Sequence, residues 1–209
     1  DDLLITPTWP LHGGGAVDCG QAGTVMRFIS PVAGFADNDV EVTAHETALH
    51  RPMGAMIRAL RDVGVDIDDA GHWSLPFLVR GRGRVRGGEV TMDASASSQF
   101  VSGLLLAAPR FDVGLRLIHS GGRLPSIPHI DMTVEALARR GVHVERPAPG
   151  EWVVPASPIR AKDVAIEPDL SNAAPFLAAA MIAGGSVSVT GWPRPSTQPG
   201  AMLRDILSL

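Results

Sequence analysis

Apolar and polar residues along this chain follow two periods in a fixed order, and the order is repeated. Residues 25–35 are spaced as a helix, and residues 40–43 then alternate as a short strand. Arg51 and Pro52 introduce an amphipathic segment, 53–62, whose Met56, Ile57 and Leu60 share one helical face. Gly64 predicts its end, because glycine readily takes the left-handed conformation that closes a helix. Residues 65–68 alternate as a half-buried strand, and 77–80 supply a second strand that closes the unit.

About 75 residues further on, the same grammar returns. Residues 92–99 take the place of 17–24, an apolar helix is predicted over 100–107 and a strand over 115–119. Pro128 precedes a second helix to Arg140, Gly141 stops it, and strands are predicted over 142–145 and 152–154. Each unit reads β-α-β-α-β-β. A third copy starts at Val164, with a helix over 170–183 and a strand over 187–190, and is cut at Leu209 inside its second helix. Leu3-Leu4-Ile5 reads as the last strand of an earlier copy. A unit cut in this way leaves an apolar face uncovered, so the pattern predicts a piece of a larger protein. The first helix of each unit is apolar nearly all round, as Phe100, Val101, Leu104, Leu105, Leu106 and Ala107 show, and a helix of that kind is buried on every side. The expected fold class is α/β, with sheets surrounding buried helices.

Composition narrows the function. No run reaches the roughly 18 uninterrupted apolar residues of a membrane span, and Asp1-Asp2 stands where a signal peptide would carry basic residues. A formal charge of −4 argues against nucleic acid as a main partner, so any anionic ligand must be held by a few local donors. The single cysteine, Cys19, reads as a small buried residue; it allows no intrachain disulfide and fits a reducing cytoplasm. Lys162 is the only lysine, so a lysine needed near the glycine-rich segments must come from outside this piece. Histidines 12, 45, 50, 72, 119, 129 and 143 lack the spacing of a zinc site, and no metal is expected. No P-loop, nucleophile elbow or dinucleotide fingerprint is present. The basic run 81–86 lies between two predicted strands and reads as an exposed hairpin connection.

Candidate chemistry gathers where helices begin. Gly20-Gln21-Ala22-Gly23-Thr24 and Ser95-Ala96-Ser97-Ser98-Gln99 hold the same place in successive units. Both put small residues before a helix, leaving backbone N–H groups and the positive end of the dipole open to an anion. Ordinary N-capping is the competing explanation, and the pattern leaves both open. Arg51, just before a proline that starts a helix, is placed either to grip a phosphate or carboxylate or to lie in solvent. Ser126, in the rigid loop Leu124-Pro125-Ser126-Ile127-Pro128-His129, holds the matching position in the next unit.

At these loops the sequence resembles the enolpyruvyl transferase family, in its shikimate-3-phosphate branch. The stretches that carry the likeness are Asp18-Cys19-Gly20-Gln21-Ala22-Gly23-Thr24-Val25-Met26-Arg27, His50-Arg51-Pro52-Met53, Asp93-Ala94-Ser95-Ala96-Ser97-Ser98-Gln99-Phe100 and Pro125-Ser126-Ile127-Pro128-His129-Ile130-Asp131. The resemblance implies an inside-out βα barrel, prism-like, with two domains of repeated β-α-β-α-β-β units closing over the substrates. Residues 1–166 would then be most of the N-terminal domain and 167–209 the start of the C-terminal one. It also implies transfer of the enolpyruvyl group of phosphoenolpyruvate to the 5-hydroxyl of shikimate-3-phosphate with release of phosphate, in a monomeric cytoplasmic enzyme that needs no cofactor.

Carried over by position, Gly23, Arg51 and Gln99 match the family's phosphoenolpyruvate contacts, and Ser97, Ser98, Gln99 and Ser126 its shikimate-3-phosphate contacts. His129 stands where many relatives have a tyrosine against the shikimate ring. The family's general acid and base groups, a lysine of an N-terminal Lys-Ser motif and residues of the C-terminal domain, fall outside this piece, which is expected to be catalytically silent alone. Glyphosate, which in the family takes the phosphoenolpyruvate position, is expected beside Gly23. One rival is the sister enzyme acting on UDP-N-acetylglucosamine, which carries a loop cysteine shortly before an Arg-Pro pair; Glu46-Thr47-Ala48-Leu49-His50 has none. The other is a non-catalytic repeat scaffold, whose loops would not match a substrate-binding pattern.

Overall fold

The computed structural model describes residues 3–6 and 8–207. Strand β1 (Gly15–Asp18) leads into helix α1 (Gly23–Ala33) and then strand β2 (Val40–Thr43). A short helix α2 (Glu46–Leu49), which the hydrophobic pattern did not reveal, precedes α3 (Gly54–Asp62), β3 (Asp66–Asp68) and β4 (Phe77–Arg80). The second unit runs β5 (Gly88–Met92), α4 (Gln99–Ala107), β6 (Leu115–His119), α5 (Ile127–Ala138) and β7 (Glu151–Val154). Helices α6 (Leu170–Ala183) and α7 (Leu203–Leu207) follow.

The repeat read from sequence is a repeat of topology. The first sheet has the order β1-β2-β4-β3 and the second β5-β6-β7. In each, the opening strand pairs parallel with the strand after the first helix, and that strand pairs antiparallel with the closing one. Strands β2, β4, β6 and β7 bury every second residue, which follows from the two-residue period of a strand with one covered face. Helices α3 and α5 stop alike. Gly64 and Gly141 take positive φ, and the next residue donates its N–H five residues back, Val65 to Leu60 O and Val142 to Leu137 O.

Helix α4 lies at the centre, packed against both α1 and α5. Phe100 to Leu105 and Ala107 are buried, as their all-round apolar pattern requires. Gly103 permits the close approach of α1: a methyl built there would sit 2.6 Å from the Arg27 carbonyl oxygen and 3.2 Å from Met56 Cε.

Four expectations need correction. The basic run 81–86 is not a hairpin connection, because β4 and β5 belong to different sheets. It is a strap between the units, with Val85 buried, Arg82 paired to Asp66 at 3.2 Å and Arg84 to Asp112 at 2.8 Å. Residues 142–145 form only one bridge, Glu145 to Val153. Leu3-Leu4-Ile5 is exposed and forms no strand among the described residues. Residues 187–190 form no strand either; a strand needs a neighbour for its backbone groups, and no sheet forms among the described residues from 155 to 207. Helix α6 consequently exposes Phe176, Met181 and Ile182. The predicted cut at Leu209 lies outside the described residues.

The loop after β3 braces the start of α3. Asp69, 4% exposed, accepts from Arg61 Nη2 at 2.8 Å and from the Trp73 N–H at 3.0 Å, and the Trp73 carbonyl accepts the Met53 N–H. Burial alone would push the Asp69 carboxyl up, but Arg61 and the Trp73 and Gly71 N–H groups outweigh it and hold it below its ordinary value. Asp69→Ala is expected to cost about 1–3 kcal/mol by leaving these donors unpaired. Because the folded carboxyl titrates below the unfolded one, this contribution is full above the unfolded carboxylate range and disappears as pH falls through the folded value. Urea unfolding at pH 7 and pH 3 should show the gap between wild type and variant closing at the lower pH.

Candidate functional site

The first turns of α1 and α4 begin without the usual side-chain acceptors. Ala22 stands at the cap of α1 and Ser98 at that of α4; neither makes a side-chain cap bond, and neither first turn holds an acidic residue. Helix α6 gives the contrast, for there Asp169 accepts the Asn172 N–H at 2.9 Å in an ordinary cap. Helices α3 and α5 also start without a side-chain cap bond, so the bare starts of α1 and α4 are set apart by what gathers at them. At α1 and α4 the positive helix ends are left uncompensated. The capping alternative is realised once, at Ser97, whose Oγ accepts the Gln99 N–H at 3.3 Å.

Two guanidinium groups converge on the start of α1. A methyl built on Gly23 would lie 2.9 Å from Arg51 Nη1 and 3.0 Å from Arg27 Nη1. Arg51 is delivered by the turn between α2 and α3, where its N–H bonds to the Ala48 carbonyl, and α3 is held in turn by the Trp73 loop. Arg27, on α1, donates from Nη1 to Gln99 Oε1 at 2.6 Å and reaches the Gly23 carbonyl at 3.4 Å. Gln99 Nε2 donates to Thr24 Oγ1 at 2.9 Å. The helix starts of both units are thereby tied together.

Positive charge dominates the start of α1. Neither Arg27 nor Arg51 has a carboxylate partner among the described residues, whereas Arg80, Arg82, Arg84 and Arg116 each do. Burial and, after it, the neighbouring Arg51 charge push the Arg27 guanidinium below its ordinary value. Arg27 Nε is buried without a hydrogen-bond partner, and the group lies 5.1 Å from the Phe100 ring centre. A bound anion would relieve both the repulsion and the desolvation.

Ser126 lines a hollow of its own, whose walls include none of Gly23, Arg51, Ser97, Ser98 and Gln99. It caps α5 in a left-handed conformation, φ 49°, without bonding its side chain to the helix. A cavity of about 450 Å³ opens there, lined by His119, Arg123, Leu124, Ser126, Pro149 and Gly150 among others. His119 links this loop to the one before α4: Nδ1 accepts the Ala94 N–H at 3.2 Å, and Nε2 donates to the Gly122 carbonyl at 2.7 Å. Farther along the helices, Thr133 Oγ1 of α5 donates to Ser102 Oγ of α4 at 2.9 Å.

Gly23, Arg51 and Gln99 are thus brought together, with Ser97 and Ser98 in the loop that delivers Gln99. Ser98 is 4% exposed, so its hydroxyl is largely covered. His129 is exposed in the first turn of α5. Arg27, Thr24 and His119 were assigned no contact from the sequence, although Thr24 stood in the candidate loop and Arg27 in the resembling stretch, one helical turn after Gly23. Among the described residues no helix is long and apolar enough to cross a membrane.

A sequence model of the family described as EPSP synthase (3-phosphoshikimate 1-carboxyvinyltransferase) matches residues 10–209. Among solved structures, EPSP synthase from Acinetobacter baumannii at 2.37 Å is similar over 81% of this chain, with 22% identity and a TM-score of 0.65. A second structure of EPSP synthase from that organism is similar over 80% of this chain, with the same identity and TM-score. The chain covers 37% of the length of each. The likeness identifies the fold as the inside-out α/β arrangement, with sheets outside and helices within.

Proposed function

The chain belongs to the EPSP synthase family, and from that premise we propose that it supplies about half of a site that transfers the enolpyruvyl group of phosphoenolpyruvate to the 5-hydroxyl of shikimate-3-phosphate. The observation that carries this reading is the convergence of Arg27 and Arg51 on Gly23, with Gln99 bridging from the next unit. Arg51, a cation without a counter-ion among the described residues at an uncapped helix start, suits a phosphate or carboxylate, and Arg27 ties Gln99 into the same cradle. Phosphoenolpyruvate is the anion placed at Gly23, Arg51 and Gln99. Shikimate-3-phosphate is assigned to Ser97, Ser98, Gln99 and Ser126, with His129, next in sequence to Pro128 of the Ser126 hollow, as a further candidate contact.

Within this division of labour the residues present bind and orient, and the proton transfers at the enolpyruvyl methylene and the attacking hydroxyl belong to groups elsewhere in the enzyme. Holding the two anions side by side lowers the entropic part of the barrier even before an acid or base acts. Residues up to about 166 form most of the N-terminal domain and 167–209 open the C-terminal one, in a monomeric cytoplasmic enzyme.

Titrating the 209-residue chain with phosphoenolpyruvate and with shikimate-3-phosphate by calorimetry should give saturable binding and no turnover. A flat response to both would end this reading. Gly23→Ala should weaken phosphoenolpyruvate and glyphosate by roughly tenfold, about 1.4 kcal/mol, because the new methyl crowds both guanidinium tips. The fold should survive, since those tips are the flexible ends of long side chains; unchanged affinity for both ligands would contradict the placement.

A further inference from the structure

Gln99 carries a carboxamide, whose two ends are alike in size and opposite in hydrogen bonding. Which end faces a ligand decides whether the side chain attracts an anion or repels it. In this protein the oxygen end is occupied by Arg27 Nη1 at 2.6 Å, and one N–H of the other end by Thr24 Oγ1 at 2.9 Å. A guanidinium has five donors and no acceptor, so it can pair only with Oε1. The donor left over on Gln99 is its second N–H.

We infer that Arg27 is a positioning residue of the anion cradle, which acts through Gln99 by holding Oε1 and so keeping the amide's N–H end for the ligand. The inference rests on the functional reading above and adds to it a residue that sets the polarity of the site from behind. Several observations favour this over a plain surface arginine. Arg27 makes no ion pair among the described residues, lies against Phe100, and buries Nε unpaired, an arrangement that costs stability. Its bond to Gln99 also crosses from the first unit to the second, joining the very helix starts that lack acidic caps. A mere tie between helices would not need a charged donor next to a second arginine.

A double-mutant cycle separates action through Gln99 from independent attraction by charge. Wild type, Arg27→Met, Gln99→Ala and the double variant of the ¹⁵N-labelled chain are titrated with inorganic phosphate and with phosphoenolpyruvate, following the backbone N–H signals of Gly23 and Thr24. Each single change is expected to raise the dissociation constant about tenfold, and the double change by about the same tenfold. In the ligand-free protein, Arg27→Met should also move the Gln99 side-chain amide signals, while the N–H signals of α3 stay in place. A double variant about a hundredfold weaker would mean that Arg27 acts on its own and would overturn the inference. So would an Arg27→Met protein that binds within twofold of wild type, or unmoved Gln99 amide signals. If Arg27→Met does not fold, Arg27→Lys is carried through the same cycle and judged by the same additivity. A wild-type chain without any saturable shift would instead strike at the functional reading and remove the basis for this inference with it.

Discussion

Gly103→Val is expected to lower the unfolding free energy by about 2–3 kcal/mol and to weaken anion binding as well. The first added carbon would sit 2.6 Å from the Arg27 carbonyl oxygen, a backbone atom of α1 that cannot swing aside. Relief requires the two central helices to separate, and overpacking of a close-packed core costs about 1–3 kcal/mol or somewhat more. Removing a helical glycine returns less than about 1 kcal/mol, which does not offset that. The binding loss follows from the same contact, because α1 is the element that carries Gly23, Thr24 and Arg27. Urea unfolding and a phosphate titration on one preparation test both parts. An unchanged midpoint would show that α1 and α4 have slack at this crossing.

Gln99→Glu is expected to reduce affinity for phosphate and phosphoenolpyruvate by about a hundredfold while leaving stability unchanged or slightly raised. The new carboxylate would take Arg27 as an ion-pair partner, 2.6 Å away in the present geometry, and would place its own charge among the donors meant for the ligand. Loss of a charge-assisted hydrogen bond is worth about 1.5–3 kcal/mol, which spans a hundredfold in affinity. The opposite signs separate this variant from Gly103→Val, in which folding and binding fall together. Thermal unfolding beside a ligand titration reads both quantities; affinity within threefold of wild type would remove Gln99 from the site.

Much of the fold was legible because strands with one covered face alternate cleanly. The predicted limits of β2, β4 and β6 coincide with those observed, as do those of α6. Gly64 and Gly141 marked helix ends because each takes the conformation that glycine favours. Pairing was less accessible: nothing local to 81–86 says that the strands on either side belong to different sheets. The missing strands at 142–145 and 187–190 fail for a related reason, since β propensity is realised only against a neighbour. At the site, small residues at helix starts showed where an anion could approach, and that part could be read directly. Arg27 and Trp73 escaped notice because their roles rest on contacts distant in sequence, with Gln99 and with the start of α3. Even Ser97, a member of the candidate set, takes the commoner role of satisfying a helix N–H.

The bond from Arg27 to Gln99 has a thermodynamic corollary. It spans the seam between two successive repeats, and an anion that touches both sides must strengthen the seam by the same factor by which a closed seam strengthens its hold on the anion. Occupancy and cohesion would then be reciprocal: a bound anion would act as a rivet, added to the strap, the central helices and the Gln99 bonds that already fasten the repeats.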